Sequence, residues 1–489
     1  MRNKYRQILF YLSVFIILIG ALQLTPLLGL VFYPEEAKWA YCFLIPGLGA
    51  IAVGALLYFR YHHIRSEKLD NDHVSILVVL AWVCAIVIST FPWMLSGKYN
   101  FSQAIFETTS GYSTTGLTVV DVENCPHIFL LFRSVALLVG GVGLVLILSS
   151  ALSDRYGLNI YNAEGHTDRI LPNLARSARV IISIYLLYIV LGTLAYYLAG
   201  MPLFDSINTS IAALSTGGFS VRNESIYAYH SLAIEIITIV LMMLGGTNFV
   251  IHYSFFHGKL KTATHNCETR FLLLLIFIFI PYMTILLKVN EFEPNLWEAL
   301  RISAFQFVSC ITTTGFVSIP SLNYLPSAFA FIMILMMLVG GNMESTAGGI
   351  KQYRVIVTLK GIYYMLKDTI SSRKVIRTRF IERLGTRKVL EDDEVRSMTS
   401  YVLFYILLFF LGSFIFCSFG YSIQDSMLEF SSALSTVGLS VGITGYNAHP
   451  IILWTGTIGM FLGRMEIMIV FQTILRVGKD FKEKRVTGH

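Results

Sequence analysis

Four short polar stretches share one pattern: Ser113-Thr114-Thr115-Gly116-Leu117, Ser215-Thr216-Gly217-Gly218-Phe219, Thr312-Thr313-Thr314-Gly315-Phe316 and Ser435-Thr436-Val437-Gly438-Leu439. Counting from the shared glycine, position −3 is Ser or Thr, −2 is Thr in every copy, and +1 is large and apolar. Upstream, −5 is small (Gly111, Ala213, Cys310, Ala433) and −9 is polar (Glu107, Thr209, Gln306, Glu429). The glycines lie 102, 97 and 123 residues apart, so each loop belongs to one long repeat. A cation stripped of its water needs a cage of oxygens, and four extended loops can supply rings of backbone carbonyls. Turning successive carbonyls toward one axis demands positive φ somewhere, which glycine reaches without a Cβ penalty. One Ser-Thr-x-Gly is an ordinary turn; four with matching flanks point to a shared ion filter built from Thr114, Thr115, Gly116, Thr216, Gly217, Gly218, Thr313, Thr314, Gly315, Thr436, Val437 and Gly438.

Such loops need elements that hold them in a low-dielectric setting. Of the 489 residues 55% are hydrophobic and 14% charged, against roughly 25% charged in soluble domains. Runs free of Asp, Glu, Lys and Arg recur at 7–34, 39–59, 74–97, 180–204, 271–287 and 401–424. A bilayer core needs roughly 20 apolar helical residues, so the pattern is that of a polytopic membrane protein. The first run is too long for the apolar region of a signal peptide and reads as a retained helix. Six scattered cysteines, with no CxxC, argue for neither disulfides nor a metal cluster.

The expected fold is all-α and integral to the membrane: ten transmembrane helices, with four re-entrant pore loops carried by four parallel helix-loop-helix repeats around a pseudo-fourfold pore. The spans are expected near 8–33, 39–59, 74–96, 127–151, 179–203, 231–256, 271–289, 325–350, 400–420 and 450–475. The units are an N-terminal helix pair (1–68), pore repeats at 69–165, 166–262, 263–350 and 400–489, and a cytoplasmic connector, 351–399, expected as a helical hairpin or solvated linker. Lys and Arg collect on the cytoplasmic side of membrane proteins. Here 30 of 37 fall in the segments 1–6, 60–68, 155–179, 259–270, 351–396 and 476–485, all on one side of this layout. Both termini are thereby expected in the cytoplasm, with the glycine loops opening outside. The net charge of +7 then reports orientation rather than nucleic-acid binding.

The polar segments before the loops fit short pore helices, with Asp205 and Asp425 near their starts, where an acid complements the helix dipole. After each loop comes a pair of small residues, Gly140-Gly141, Gly245-Gly246 and Gly340-Gly341, with Gly463-Arg464 in the fourth repeat. Small residues there let helices pack closely or break. An ionisable residue in a span is a functional hypothesis by default: Arg464 is expected either to face the pore as a fixed positive charge or to pair with an acid such as Glu466. Residues 340–349, with Gly340, Gly341, Asn342, Glu344, Gly348 and Gly349, cannot sustain a lipid-facing helix. They form either an irregular gating loop beneath the filter or a cytoplasmic continuation after a helix ending at Val339.

With four such loops in one chain, each between two helices, the sequence resembles the superfamily of Trk, Ktr and HKT cation transporters over essentially its whole length. The extra helix pair resembles the Trk-type membrane subunit, TrkH or TrkG, rather than the shorter Ktr subunit. The resemblance implies potassium uptake across a bacterial inner membrane by a homodimer whose protomers each hold a pore. It further implies a TrkA-type cytosolic nucleotide-binding partner that gates transport, with K⁺ as the transported ion, a gating loop at about Gly340–Gly349 and a pore arginine at Arg464. In plant relatives a serine for the first filter glycine accompanies sodium selectivity, and all four positions here are glycine. A proton- or sodium-coupled potassium symporter, or a sodium-permeable relative, is the alternative; only isolated Glu235, Glu344 and Glu466 offer it acids. A polytopic membrane enzyme is disfavoured because clustered His, Asp or Ser/His sets are missing from the sequence.

Overall fold

A computed structural model describes residues 2–64, 71–143, 174–259, 261–370 and 378–486. Helices Arg2–Leu24 and Tyr41–Tyr61 pair first, in close contact because Gly20, Gly47 and Gly54 leave room for the opposing backbone. A pattern then occurs four times: a long apolar helix, a short helix, the glycine loop and a returning helix. The long members are Asn71–Leu95, Leu174–Leu198, Cys267–Val289 and Asp392–Cys417. The short members are Phe101–Tyr112, Leu203–Leu214, Leu296–Ile311 and Ile423–Leu434. Their starts are written into the sequence. Asn100 and Gln103 make a reciprocal capping box, Asn295 and Ser422 accept from backbone N–H groups, and Asp205, Glu298 and Asp425 occupy first turns.

Among the described residues six helices are long and apolar enough to cross a membrane, and they match the first, second, third, fifth, seventh and ninth expected spans. The four returning helices depart from expectation in a common way. The sixth and tenth spans, foreseen as single helices, are bent pairs, Leu232–Gly245 with Phe249–Phe256 (103°) and Pro450–Arg464 with Ile467–Asp480 (99°). The fourth and eighth are shorter helices, His127–Val142 and Ser327–Val339; residues 144–151 of the fourth lie outside the described residues. All four stop at or within three residues of the small-residue pairs. The reason is close approach. A Cβ on Gly140, Gly245 or Gly463 would overlap the carbonyl oxygen of Tyr112, Leu214 or Leu434, four positions before each loop glycine. The returning backbone thus lies directly on the end of its own short helix.

The 351–399 segment also differs from the helical hairpin expected. It holds a helix, Gln352–Ile370, then a two-stranded antiparallel hairpin, β1 Phe380–Arg383 and β2 Thr386–Val389, ahead of the helix from Asp392. Leu384 and Gly385 both have positive φ (49° and 80°), the geometry of a two-residue hairpin turn. Ile381 and Leu390 anchor the hairpin in a small core with Tyr353, Ile356 and Val357.

Gly463→Ala is expected to destabilise the protein by about 1–3 kcal/mol, as overpacking does. Gly49→Ala, with open space around its Cβ position, is expected to leave the thermal denaturation midpoint in detergent within a degree or so of wild type.

Candidate functional site

Each short helix ends in the same turn. The N–H at −2 donates to the carbonyl at −5 (Thr114 to Gly111 3.1 Å, Thr216 to Ala213 3.2 Å, Thr313 to Cys310 3.1 Å, Thr436 to Ala433 3.2 Å). The N–H at −1 donates to the carbonyl at −6, at 2.9, 2.9, 2.9 and 2.8 Å. This is a Schellman motif, which normally places glycine in the left-handed position. Here that position is threonine every time, with φ of 55°, 51°, 54° and 54°. A β-branched residue in this conformation is strained by about 1–3 kcal/mol, so the four threonines carry a cost that a glycine would not. The Thr114 and Thr436 hydroxyls are buried with no hydrogen-bond partner, a state that an oxygen-seeking ligand would relieve. The residue at −1 returns to ordinary φ, and the glycines again have positive φ: 95°, 59°, 86° and 102° for Gly116, Gly218, Gly315 and Gly438.

The loops meet in a closed ring. A Cβ on Gly116 would overlap the carbonyl oxygen of Gly217, one on Gly218 that of Thr314, one on Gly315 that of Val437, and one on Gly438 that of Thr115. Each contact leads from one repeat to the next, and the last returns to the first. All twelve loop residues singled out in the sequence are thus gathered at one place, and the glycines are required both for their φ and for the neighbour's closeness.

Behind the ring, residues at −6 and −9 brace the loops of the first, third and fourth repeats. Ser110 and Ser432 Oγ accept from the N–H of Gly116 (3.0 Å) and Gly438 (2.9 Å), while Ser309 Oγ donates to the Phe316 carbonyl (2.7 Å). Position −6 was not among the residues singled out, although three of the four aligned copies carry Ser there. At −9, the Glu107 carboxylate accepts from Thr118 Oγ1 and Val119 N–H (3.0 Å) and is ion-paired with Arg133 (3.0 Å). Glu429 likewise accepts from Ser440 Oγ (2.7 Å), Val441 N–H (2.8 Å) and Thr444 N–H (3.0 Å). Gln306 Nε2 reaches Ser318 Oγ at 3.5 Å. The Arg133 guanidinium lies 3.8 Å from the Phe219 ring of the second repeat, tying neighbouring repeats together.

Residues 340–350 are buried throughout, so of the two readings of this stretch the irregular buried loop is the one realised. Asn342 N–H donates to the Gly246 carbonyl (3.1 Å), Phe249 N–H to the Glu344 carbonyl (3.1 Å), and Thr346 Oγ1 to the carbonyls of Leu214 (3.0 Å) and Gly245 (2.9 Å). Gly348 N–H donates to Thr313 Oγ1 (2.6 Å), and Gly348 abuts Thr436 Oγ1 and the Ser435 carbonyl so closely that no Cβ fits. Gly340 and Gly349, with φ of 71° and 78°, pack against one another where the loop doubles back, next to Gly341. The loop therefore touches the threonine level of repeats two, three and four. Arg464 Nη1 donates to the Thr346 carbonyl (3.0 Å) and Nη2 to that of Gly140, bridging the loop to repeat one. Glu466 is instead ion-paired with Arg354.

Glu107→Ala is expected to cost about 3–5 kcal/mol in unfolding free energy, because Arg133 would stay buried without its partner. The double change Glu107→Leu/Arg133→Met is expected to recover most of that loss in the same denaturation measurement.

The family model described as "TrkH: Cation transport protein" matches residues 42–483. The chain is 32% identical, over 96% of its length and 95% of the relative's, to an uncharacterized cation transporter of Methanocaldococcus jannaschii. It is 28% identical to the Trk system potassium uptake protein TrkH of Halomonas elongata (95% and 97% covered) and 26% identical to TrkH of Escherichia coli K12 (95% and 97%). The crystal structure of the potassium transporter TrkH from Vibrio parahaemolyticus superposes with a TM-score of 0.84 at 23% identity, covering 96% of this chain and 98% of that one, which establishes a shared fold. Repeats, ring and match over nine-tenths of the length lead to one conclusion: this chain belongs to the TrkH family of cation transport proteins, multi-pass membrane transporters rather than enzymes.

Proposed function

We propose that the chain takes up K⁺ across the cytoplasmic membrane through the ring of Thr114–Gly116, Thr216–Gly218, Thr313–Gly315 and Thr436–Gly438, acting as a channel-like pore. The observation that carries this reading is the closed contact of each loop glycine with the −1 carbonyl of the next repeat, the fourth returning to the first. Left-handed residues at −2 and 0 alternate with an ordinary one at −1, an alternation that lets successive peptide groups present oxygens to one side of the loop. Such stacked oxygens replace the hydration shell of a large monovalent cation, and the names of the Halomonas and Escherichia relatives specify potassium. Inward movement is driven by the membrane potential, worth about 2.3 kcal/mol per charge per 100 mV. The ten-crossing layout with re-entrant loops, the unit boundaries, cytoplasmic termini, a homodimeric assembly and a TrkA-type partner complete this reading. The basic residues crowding one side and the relatives' description as parts of a Trk system support it.

The loop 340–349 acts as the gate and Arg464 as its catch. The loop occupies the space under the threonines, and Arg464 holds it through the Thr346 carbonyl. A fixed guanidinium there also repels cations below the ring. A coupled symporter would need an acid along the path; of the three candidates Glu235, Glu344 and Glu466, two are committed elsewhere, Glu235 to Arg301 (3.0 Å) and Glu466 to Arg354.

Expression in a potassium-transport-deficient bacterium at limiting K⁺ tests the assignment. Wild type with a TrkA-type partner is expected to restore K⁺ or Rb⁺ uptake and Gly116→Asp to abolish it; no uptake by wild type would sink the potassium reading. Arg464→Ala is expected to raise Rb⁺ flux several-fold with the K⁺ over Na⁺ preference retained, and unchanged or lower flux in folded protein would reduce Arg464 to a structural tie.

A further inference from the structure

On the face assigned above to the cytoplasm lies a cavity of about 920 Å³ that the transport reading does not use. Its walls are the first two turns of the membrane-span candidate Cys267–Val289, one side of the helix Gln352–Ile370, and the β1–β2 hairpin. Arg270, Lys360, Lys367 and Arg387 face it, with Glu382 as the single carboxylate among the described lining residues.

The cations are held in place. Lys360 Nζ donates to the Phe380 carbonyl (3.0 Å), the Arg387 guanidinium lies 4.1 Å from the Phe380 ring, and Glu382 is taken up by Arg270 (2.7 Å). Beyond Arg270 the opposite wall is apolar: Phe271 and Leu274 begin an apolar strip that continues through exposed Phe277 and Ile278 along the same span. The second wall, Gln352–Ile370, combines Lys360 and Lys367 with exposed Ile362, Tyr363, Met365 and Leu366, the make-up of a helix lying in a membrane interface. A basic recess at the cytoplasmic end of a span, continuous with its apolar face, suits a negatively charged headgroup above acyl chains.

We propose that this cavity binds the phosphate headgroup of an anionic phospholipid, with Lys360 and Arg387 as its principal contacts and the acyl chains along Leu274 and Phe277. The site rests on the membrane orientation proposed above and on nothing about ion selectivity. The shared chemistry, a phosphate, could also come from solution; the continuous apolar strip favours the lipid.

Full-length protein in phosphatidylcholine nanodiscs doped with phosphatidylglycerol, analysed by native mass spectrometry, tests this. Wild type is expected to retain phosphatidylglycerol over phosphatidylcholine, and Lys360→Gln/Arg387→Gln to cut that preference about thirtyfold, the loss of two cations near a membrane surface. Lys360→Arg/Arg387→Lys is expected to keep the preference, as is Lys388→Gln, whose side chain pairs with Glu394 (3.0 Å) away from the cavity. Absence of a preference in wild type, or its persistence in the double Gln variant, would overturn the proposal. Displacement of the lipid by millimolar inorganic phosphate would reassign the site to a soluble anion and overturn it equally. Because no ion flux is read, a failed uptake assay beside an intact lipid preference rejects the transport reading alone.

Discussion

Every peptide group held away from water must find a hydrogen-bond partner, and this requirement organises the molecule more than any single contact. Helices meet it internally, but four irregular loops and the stretch beneath them do not. N–H groups of the loops are satisfied by the Schellman turns in all four repeats and, in the first and fourth, also by Ser110 and Ser432 and the carboxylates of Glu107 and Glu429, while the stretch beneath uses the Gly245 and Gly246 carbonyls and Thr313 Oγ1. Burying those carboxylates requires compensation in turn. Arg133 supplies it in the first repeat; in the fourth, hydroxyls and backbone amides do so. The loops are thus braced from behind by the helices that carry them.

The same requirement explains the returning helices. A helix that lies against the end of another leaves no room for side chains at the crossing, hence Gly140, Gly245 and Gly463. In the third repeat, Gly340 meets Gly348 instead, because the chain doubles back and fills the space itself. Fourfold likeness at the ring therefore gives way to asymmetry one layer below, where one repeat supplies the loop and another the arginine that holds it.

Much of this was legible in the sequence. The four-copy pattern located the ring, the acids Asp205 and Asp425 located the starts of two short helices, and the small-residue pairs located the crossings. Other features were hidden for physical reasons. Threonine is not a residue expected in left-handed backbone, so Thr114, Thr216, Thr313 and Thr436 read as ligands and not as strained turn positions. Apolar continuity conceals a bend: Leu232–Phe256 reads as one span because hydropathy does not register the direction of the axis. The Arg354–Glu466 pair joins residues 112 apart, beyond any local pattern. The hairpin at 380–389 escaped because its four-residue strands are mostly polar and its register is set by a two-residue turn.

The helices Gln352–Ile370 and Ile467–Val486 begin immediately after the buried loop and one residue after Met465-Glu466, respectively, with no slack linker between. Arg354 and Glu466 clamp these two starting points to each other, while Asp480, near the far end of the second helix, is fastened to Tyr5 (2.8 Å). A force applied to either helix would reach the Thr346 carbonyl without a slack segment to take it up. A displacement of either helix is therefore carried to the buried 340–349 loop rather than absorbed on the way.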